Sequence, residues 1–112
     1  MSEIPHITVQ ALAQKMAESA DLQLVDVREP QELAIAQIPG FINLPLSQAQ
    51  QWSQNIAAHL DPAKETYVLC HHGMRSLQMS GWLMQQGFVR VYNISGGMDA
   101  YSVQVDPNVP RY

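Results

Sequence analysis

Only one cysteine, Cys70, stands among 112 residues. No intramolecular disulfide can form, which argues against a small secreted scaffold stapled by cystines. Charge is scarce too. Lys and Arg number 6, Asp and Glu 10, and the formal net charge is −4. The cations are scattered, so the basic footprint that a phosphate backbone demands is missing and no nucleic-acid partner is expected. No apolar run approaches the roughly 20 residues that cross a bilayer, so no membrane partner is expected. The opening stretch MSEIPHITVQ has an early acid and no apolar signal core. Together these lacks lead to the expectation of a cytoplasmic chain in a reducing compartment. Repeats, charge blocks and low-complexity linkers are also wanting, so 1–112 reads as one domain. What the chain does have is apolar substance: 46% hydrophobic against 14% charged residues. A core can form without metals or disulfides.

Apolar runs alternate with helical patterns. ITVQALAQKMAESA (7–20) has Thr8 as N-cap, with Val9, Leu12 and Met16 on one face, and reads as a helix. LQLVDV (22–27) is an aliphatic strand. REPQELAIAQ places Pro30 at the start of a short helix, which ends before Pro39 and Gly40. FINLPL is a short extended piece. SQAQQWSQNIAAHL, with Ser47 as cap, has Trp52, Ile56 and Leu60 at helical spacing and reads as one helix. TYVLC (66–70) is a strand, SLQMSGWLMQQG a helix stopped by Gly87, VRVYNIS a strand, and GGMDAYS the start of a last short helix. The tail VQVDPNVPRY reads as an extended surface segment. Strands alternating with helices indicate βαβ units and a mainly parallel α/β sheet. Ligands of such sheets bind beyond the carboxyl ends of the strands. Asp26, Arg28 and Cys70 fall at those ends.

The most informative stretch is VLCHHGMRS, residues 68–76. If a helix starts near Arg75 or Ser76, the segment after Cys70 must turn sharply, and Gly73 permits that. Successive backbone N–H groups can then face inward and form an anion-binding nest. The helix start adds partial positive charge. A free thiol has a pKa near ~8.5, and hydrogen bonds to a charged group contribute about 1.5–3 kcal/mol each. One or two aimed amides therefore suffice to make Cys70 a thiolate nucleophile without an adjacent base. Arg75 brings a permanent charge shaped for oxyanions, and Ser76 either caps the helix or donates to an anion. His71 and His72 shape the loop rim. Adjacent histidines are expected to point in different directions, and no further ligand stands at metal spacing, so no metal site is expected. Asp26 and Arg28 read as a partly exposed ion pair at the sheet's carboxyl edge. Gly96 and Gly97 read as a tight turn into the last helix. Trp52, Met79, Trp82, Leu83 and Met84 read as packing residues.

Three stretches in order carry a resemblance: DVREPQELAIAQIPGFINLPL, VLCHHGMRS and GFVRVYNISGGMDAYS. The chain resembles single-domain rhodaneses, the thiosulfate sulfurtransferases, over roughly Ile7 to Tyr101. It departs from them at Ala36 and Gln37, where Gly-His is frequent, and at Tyr101, where Trp is common. The resemblance implies a rhodanese-like α/β fold, a central five-stranded parallel sheet with helices on both faces. It implies that Cys70 carries sulfane sulfur as a persulfide. His71, His72, Gly73, Met74, Arg75 and Ser76 would then line the substrate loop, supported by Asp26 and Arg28. The six positions from Cys70 to Arg75 match the sulfurtransferase loop, whereas related cell-cycle-type phosphatases have one more residue. Expected partners are a small anionic sulfur donor such as thiosulfate and an acceptor, either cyanide or a thiol, including a protein thiol. No cofactor is implied. The competing readings are a persulfide carrier for a partner protein and, less favoured, a phosphatase or arsenate reductase.

Overall fold

The structure is a computed structural model and describes residues 4–19 and 21–112. Ala20, the last residue of the first expected helix, lies outside the described residues, as do residues 1–3 of the opening stretch. The elements run β1 (His6–Ile7), α1 (Val9–Glu18), β2 (Gln23–Asp26), α2 (Pro30–Ile35), β3 (Ile42–Asn43), α3 (Ala49–Trp52), α4 (Ile56–His59), β4 (Thr66–Leu69), α5 (Met74–Gln85), β5 (Val91–Ile94) and α6 (Gly97–Gln104). The five strands form one sheet in the order β1-β5-β4-β2-β3. All four pairings are parallel. The α/β class and the five-stranded parallel sheet thus agree with expectation.

Side chains alternate across a strand, so each central strand feeds two cores. On β2, Leu24 joins one cluster and Val25 the other; on β4, Tyr67 and Leu69 face one way and Val68 the other. Cys70 continues the Val68 side. One face is covered by Val9 and Leu12 of α1 and Met98 of α6. The opposite face is covered by Trp52, Ile56, Met79 and Leu83 of α3, α4 and α5. Burial on both faces explains why LQLVDV and TYVLC are continuous apolar runs.

Three local readings need correction. The strand β1 was not expected: Ile7 falls within the first helical pattern, and two residues are too few to show a period. Thr8 is nonetheless the N-cap of α1, accepting from the Ala11 N–H at 3.2 Å. The segment 47–60 is not one helix. It is two short α-helices, α3 and α4, joined and preceded by 3-10 turns, and Asn55 leaves helical geometry at φ −138° and ψ 50°. Trp52, Ile56 and Leu60 are all buried, and their spacing serves this broken path as well as a continuous helix. Ser47 is not a helix cap; its hydroxyl donates to the Glu29 carboxylate. The tail, finally, is not a free surface segment, because Val105, Val109 and Tyr112 pack against the core.

Candidate active site

Cys70 follows β4 directly, so the sheet fixes its backbone. α5 begins at Met74, a residue or two earlier than the sequence suggested, with Gly73 as N-cap in the left-handed region at φ 101°. That conformation turns the Gly73 N–H onto the sulfur, where it donates to Cys70 Sγ at 3.0 Å. Ser76 is not a cap; it is fully buried and its Oγ lies 3.3 Å from Sγ. Cys70 is only 1% exposed. Burial pushes the thiol up, but the Ser76 hydroxyl and the N–H groups of Ser76, Gly73 and His72 outweigh it, leaving the thiol below its ordinary value. The cradle favours the thiolate without a base.

The other side of the loop is held by α6. Met98 N–H donates to the Cys70 carbonyl at 2.9 Å, and Asp99 N–H to the His71 carbonyl at 3.1 Å. Carbonyls therefore face α6 and leave the inward side to donors. Gly97 makes this approach possible. A Cβ there would stand 2.3 Å from the Cys70 oxygen and 2.6 Å from the His71 oxygen, at a φ of +58°. Gly97→Ala is expected to destabilise the fold by about 2–4 kcal/mol, at or above the top of the usual range for single substitutions. Urea unfolding checks this, and a variant as stable as wild type would contradict such close packing.

Arg75 has a partner that the sequence did not show. Its guanidinium is paired: Nη1 and Nη2 donate to Glu32 Oε2 and Oε1 at 2.7 and 2.8 Å. The Tyr112 hydroxyl also donates to Glu32 Oε1, at 3.0 Å. The Arg75 hydrogen bond, against the opposing cost of burial, holds Glu32 down to about 2. A depressed carboxylate contributes stability above its unfolded value and loses it as pH falls through the folded one. The Glu32 contribution should therefore be intact above about pH 4.5 and fade towards pH 2. Acid unfolding of wild type should take up one more proton in that window than Glu32→Gln does. Equal proton uptake would contradict the pairing.

Asp26 and Arg28 form a buried pair, not a partly exposed one, at 1% and 0% exposure. Arg28 Nη2 donates to Asp26 Oδ2 at 2.8 Å and to the Ala36 carbonyl at 2.9 Å. Arg28 Nη1 donates to the Tyr112 hydroxyl at 2.8 Å. The pair thus reaches the loop in relay, through Tyr112, Glu32 and Arg75, and does not touch Cys70. Met74 is 71% exposed and stands on the outer rim.

The two histidines do not diverge as expected. Their rings stack with centroids 4.0 Å apart, and the Tyr112 ring covers His71 from the other side at 3.9 Å. Asp99 joins them, with one ligand atom from each of the three within 4.8 Å of the others. The two imidazole planes are inclined by 31° to each other. Asp99 is moreover held by Arg111 at 3.0 Å. Burial pushes the His71 imidazole below its ordinary value and repulsion from His72 adds to it.

Sequence reading missed Glu32, Asn93, Asp99 and Tyr112. Only Glu32 left a local signal: it sits three residues after Glu29, and its Oε2 accepts the Glu29 N–H at 2.9 Å, half of a capping box. The others come from distant segments.

This sheet and this thiol cradle at a strand end define a class. The family model of the rhodanese-like domain matches residues 8–104, and the chain belongs to that family. It is 47% identical to the Rhodanese-like/PpiC domain-containing protein 12, chloroplastic, of Arabidopsis thaliana, over 97% of this chain and 38% of that protein. The chain thus spans well under half of that longer relative. It is 34% identical to the thiosulfate sulfurtransferase GlpE of Vibrio cholerae, covering 90% of this chain and 91% of that one. The crystal structure of a rhodanese-like domain protein from Staphylococcus aureus superposes with a TM-score of 0.76 at 28% identity, covering 88% and 91% of the two chains.

Proposed function

We propose that this chain is a sulfurtransferase that carries sulfane sulfur as a persulfide on Cys70. The observation that carries this reading is the cradle: Gly73 N–H and Ser76 Oγ lie 3.0 and 3.3 Å from a sulfur that no acidic or basic side chain among the described residues hydrogen-bonds. Sulfur transfer from thiosulfate needs neither. The thiolate attacks the outer sulfur, an Sγ–S bond forms, the S–S bond of thiosulfate breaks, and sulfite leaves with the electron pair. No proton moves. An acceptor nucleophile then takes the outer sulfur and Cys70 returns as thiolate, a double displacement through a covalent intermediate. The chain has one cysteine, so no second thiol of its own can resolve the persulfide and the acceptor comes from outside.

One observation favours the carrier reading as second choice. Arg75, the loop's only permanent cation, is already bound by Glu32 on two bonds, which leaves the mouth poor in free positive charge. A small dianion is then weakly attracted, and sulfur from a neutral or protein-bound persulfide suits the site better. Turnover of thiosulfate with cyanide should therefore be saturable but with a high KM. Persulfide donors should load the protein faster at equal concentration. Failure to turn over or load with any sulfane donor, on folded protein, would contradict the sulfurtransferase reading.

A further inference from the structure

Two of the donors to Cys70 Sγ, the Gly73 N–H and the Ser76 hydroxyl, belong to residues held by a third, Asn93 of β5, which is 2% exposed. Its Nδ2 donates to the Gly73 carbonyl at 3.1 Å. Its Oδ1 accepts from the Ser76 hydroxyl. A flipped amide would set oxygen against the Gly73 oxygen, so the orientation is fixed by its partners. His6 of β1 supports it, with Nδ1 3.3 Å from Nδ2 and able to accept its second proton. We propose that Asn93 is the positioning residue of the sulfur site: one amide, on the strand next to β4, sets two of the donors that stabilise the Cys70 thiolate, the Gly73 N–H and the Ser76 hydroxyl.

The two halves of the amide act differently. Nδ2 holds the peptide carbonyl of Gly73 while the N–H of the same residue faces Sγ, so it keeps the left-handed turn aimed at the sulfur. Oδ1 fixes the place of Ser76 Oγ. Ser76 has one proton and two acceptors, Asn93 Oδ1 and Cys70 Sγ. With a neutral thiol, the proton rests on the Asn93 side and the S–H donates to Ser76 Oγ. When the thiolate forms, the hydroxyl turns its proton to Sγ with no heavy atom moving. After sulfur loads, the negative charge sits on the outer sulfur and the hydroxyl turns back to Asn93. Giving up the Asn93 bond costs the thiolate something, but Gly73 is the closer donor, and the grip on Gly73 governs the net effect. Removing Asn93 therefore raises the thiol pKa.

This inference rests on Cys70 acting as a thiolate nucleophile, but its test needs no sulfur donor. The rate of iodoacetamide alkylation is measured against pH for wild type, Asn93→Ala, Ser76→Ala and the double variant. Circular dichroism confirms folding, and Asn93→Ser replaces Asn93→Ala if the latter does not fold. The alkylation midpoint should rise by about one pH unit in Asn93→Ala, a roughly tenfold smaller thiolate fraction at pH well below both midpoints. The double variant should shift less than the sum of the singles, because part of the Asn93 effect runs through Ser76. Asn93→Asp keeps the acceptor, loses the grip on Gly73 and adds charge, so its midpoint should rise further. A merely structural residue would lower the melting temperature and leave the midpoint in place. A folded Asn93→Ala with a wild-type or lower midpoint, or strictly additive shifts, would overturn the proposal. Absence of sulfur transfer together with a shifted midpoint would instead overturn the sulfurtransferase reading alone.

Discussion

Cys70→Ser is expected to remove sulfur transfer entirely, to the level of the uncatalysed background. The chain offers no other thiol, so no substitute nucleophile exists. An alkoxide in the same cradle is not a remedy, because a serine hydroxyl stays protonated where a thiol with hydrogen-bonded Sγ ionises. The Gly73 and Ser76 contacts, at 3.0 and 3.3 Å, would remain for the oxygen, so the fold should hold while chemistry is lost. Stability should change by less than about 1.5 kcal/mol, as for near-isosteric replacements in a packed site. Turnover and urea unfolding on the same preparation check both parts. Residual turnover above background in the serine variant would mean that sulfur is carried elsewhere.

Arg28→Met should cause the largest loss of stability, about 3–5 kcal/mol, since it leaves the Asp26 carboxylate buried without its partner. Arg28 is 0% exposed and its Nε and Nη2 both meet Asp26. The Ala36 carbonyl and the Tyr112 hydroxyl would lose their donor in the same stroke. Asp26→Asn in the Arg28→Met background removes the stranded charge and should recover part of the loss. Transfer activity should fall in the single variant beyond what unfolding explains, because Tyr112 and Glu32 also hold Arg75. A loss under about 1 kcal/mol in urea would show that the pair is not the anchor of the sheet's carboxyl edge.

Much of this architecture was legible because its physics is local. Continuous apolar strands, Pro30 at a helix start and the Gly after Cys70 each act within a few residues. The cysteine cradle could be read for the same reason: strand, turn and helix start are consecutive. What escaped was non-local. β1 is two residues long and is a strand only because β5 lies beside it. Glu32 lies 43 residues before Arg75, and nothing in either neighbourhood shows that they meet. That pairing gives Arg75 a partner that its own neighbourhood does not announce. Tyr112 covers His71 only because the tail turns back after α6, where an extended surface segment was expected. The histidine rings stack for the same reason, held by an aromatic from the far end of the chain. Asn93 looked like an ordinary strand residue, and only the parallel register of β4 and β5 brings it to the sulfur.

These distant partners surround one atom, and the question is what that atom carries. Intact-mass analysis of the folded protein after exposure to thiosulfate, or to a persulfide donor, followed by removal of excess reagent, answers it most directly. One added sulfur per chain, absent in Cys70→Ser and discharged by cyanide, is the expected result. An unchanged mass with every sulfane donor, on protein whose Cys70 still alkylates, would contradict a persulfide at Cys70.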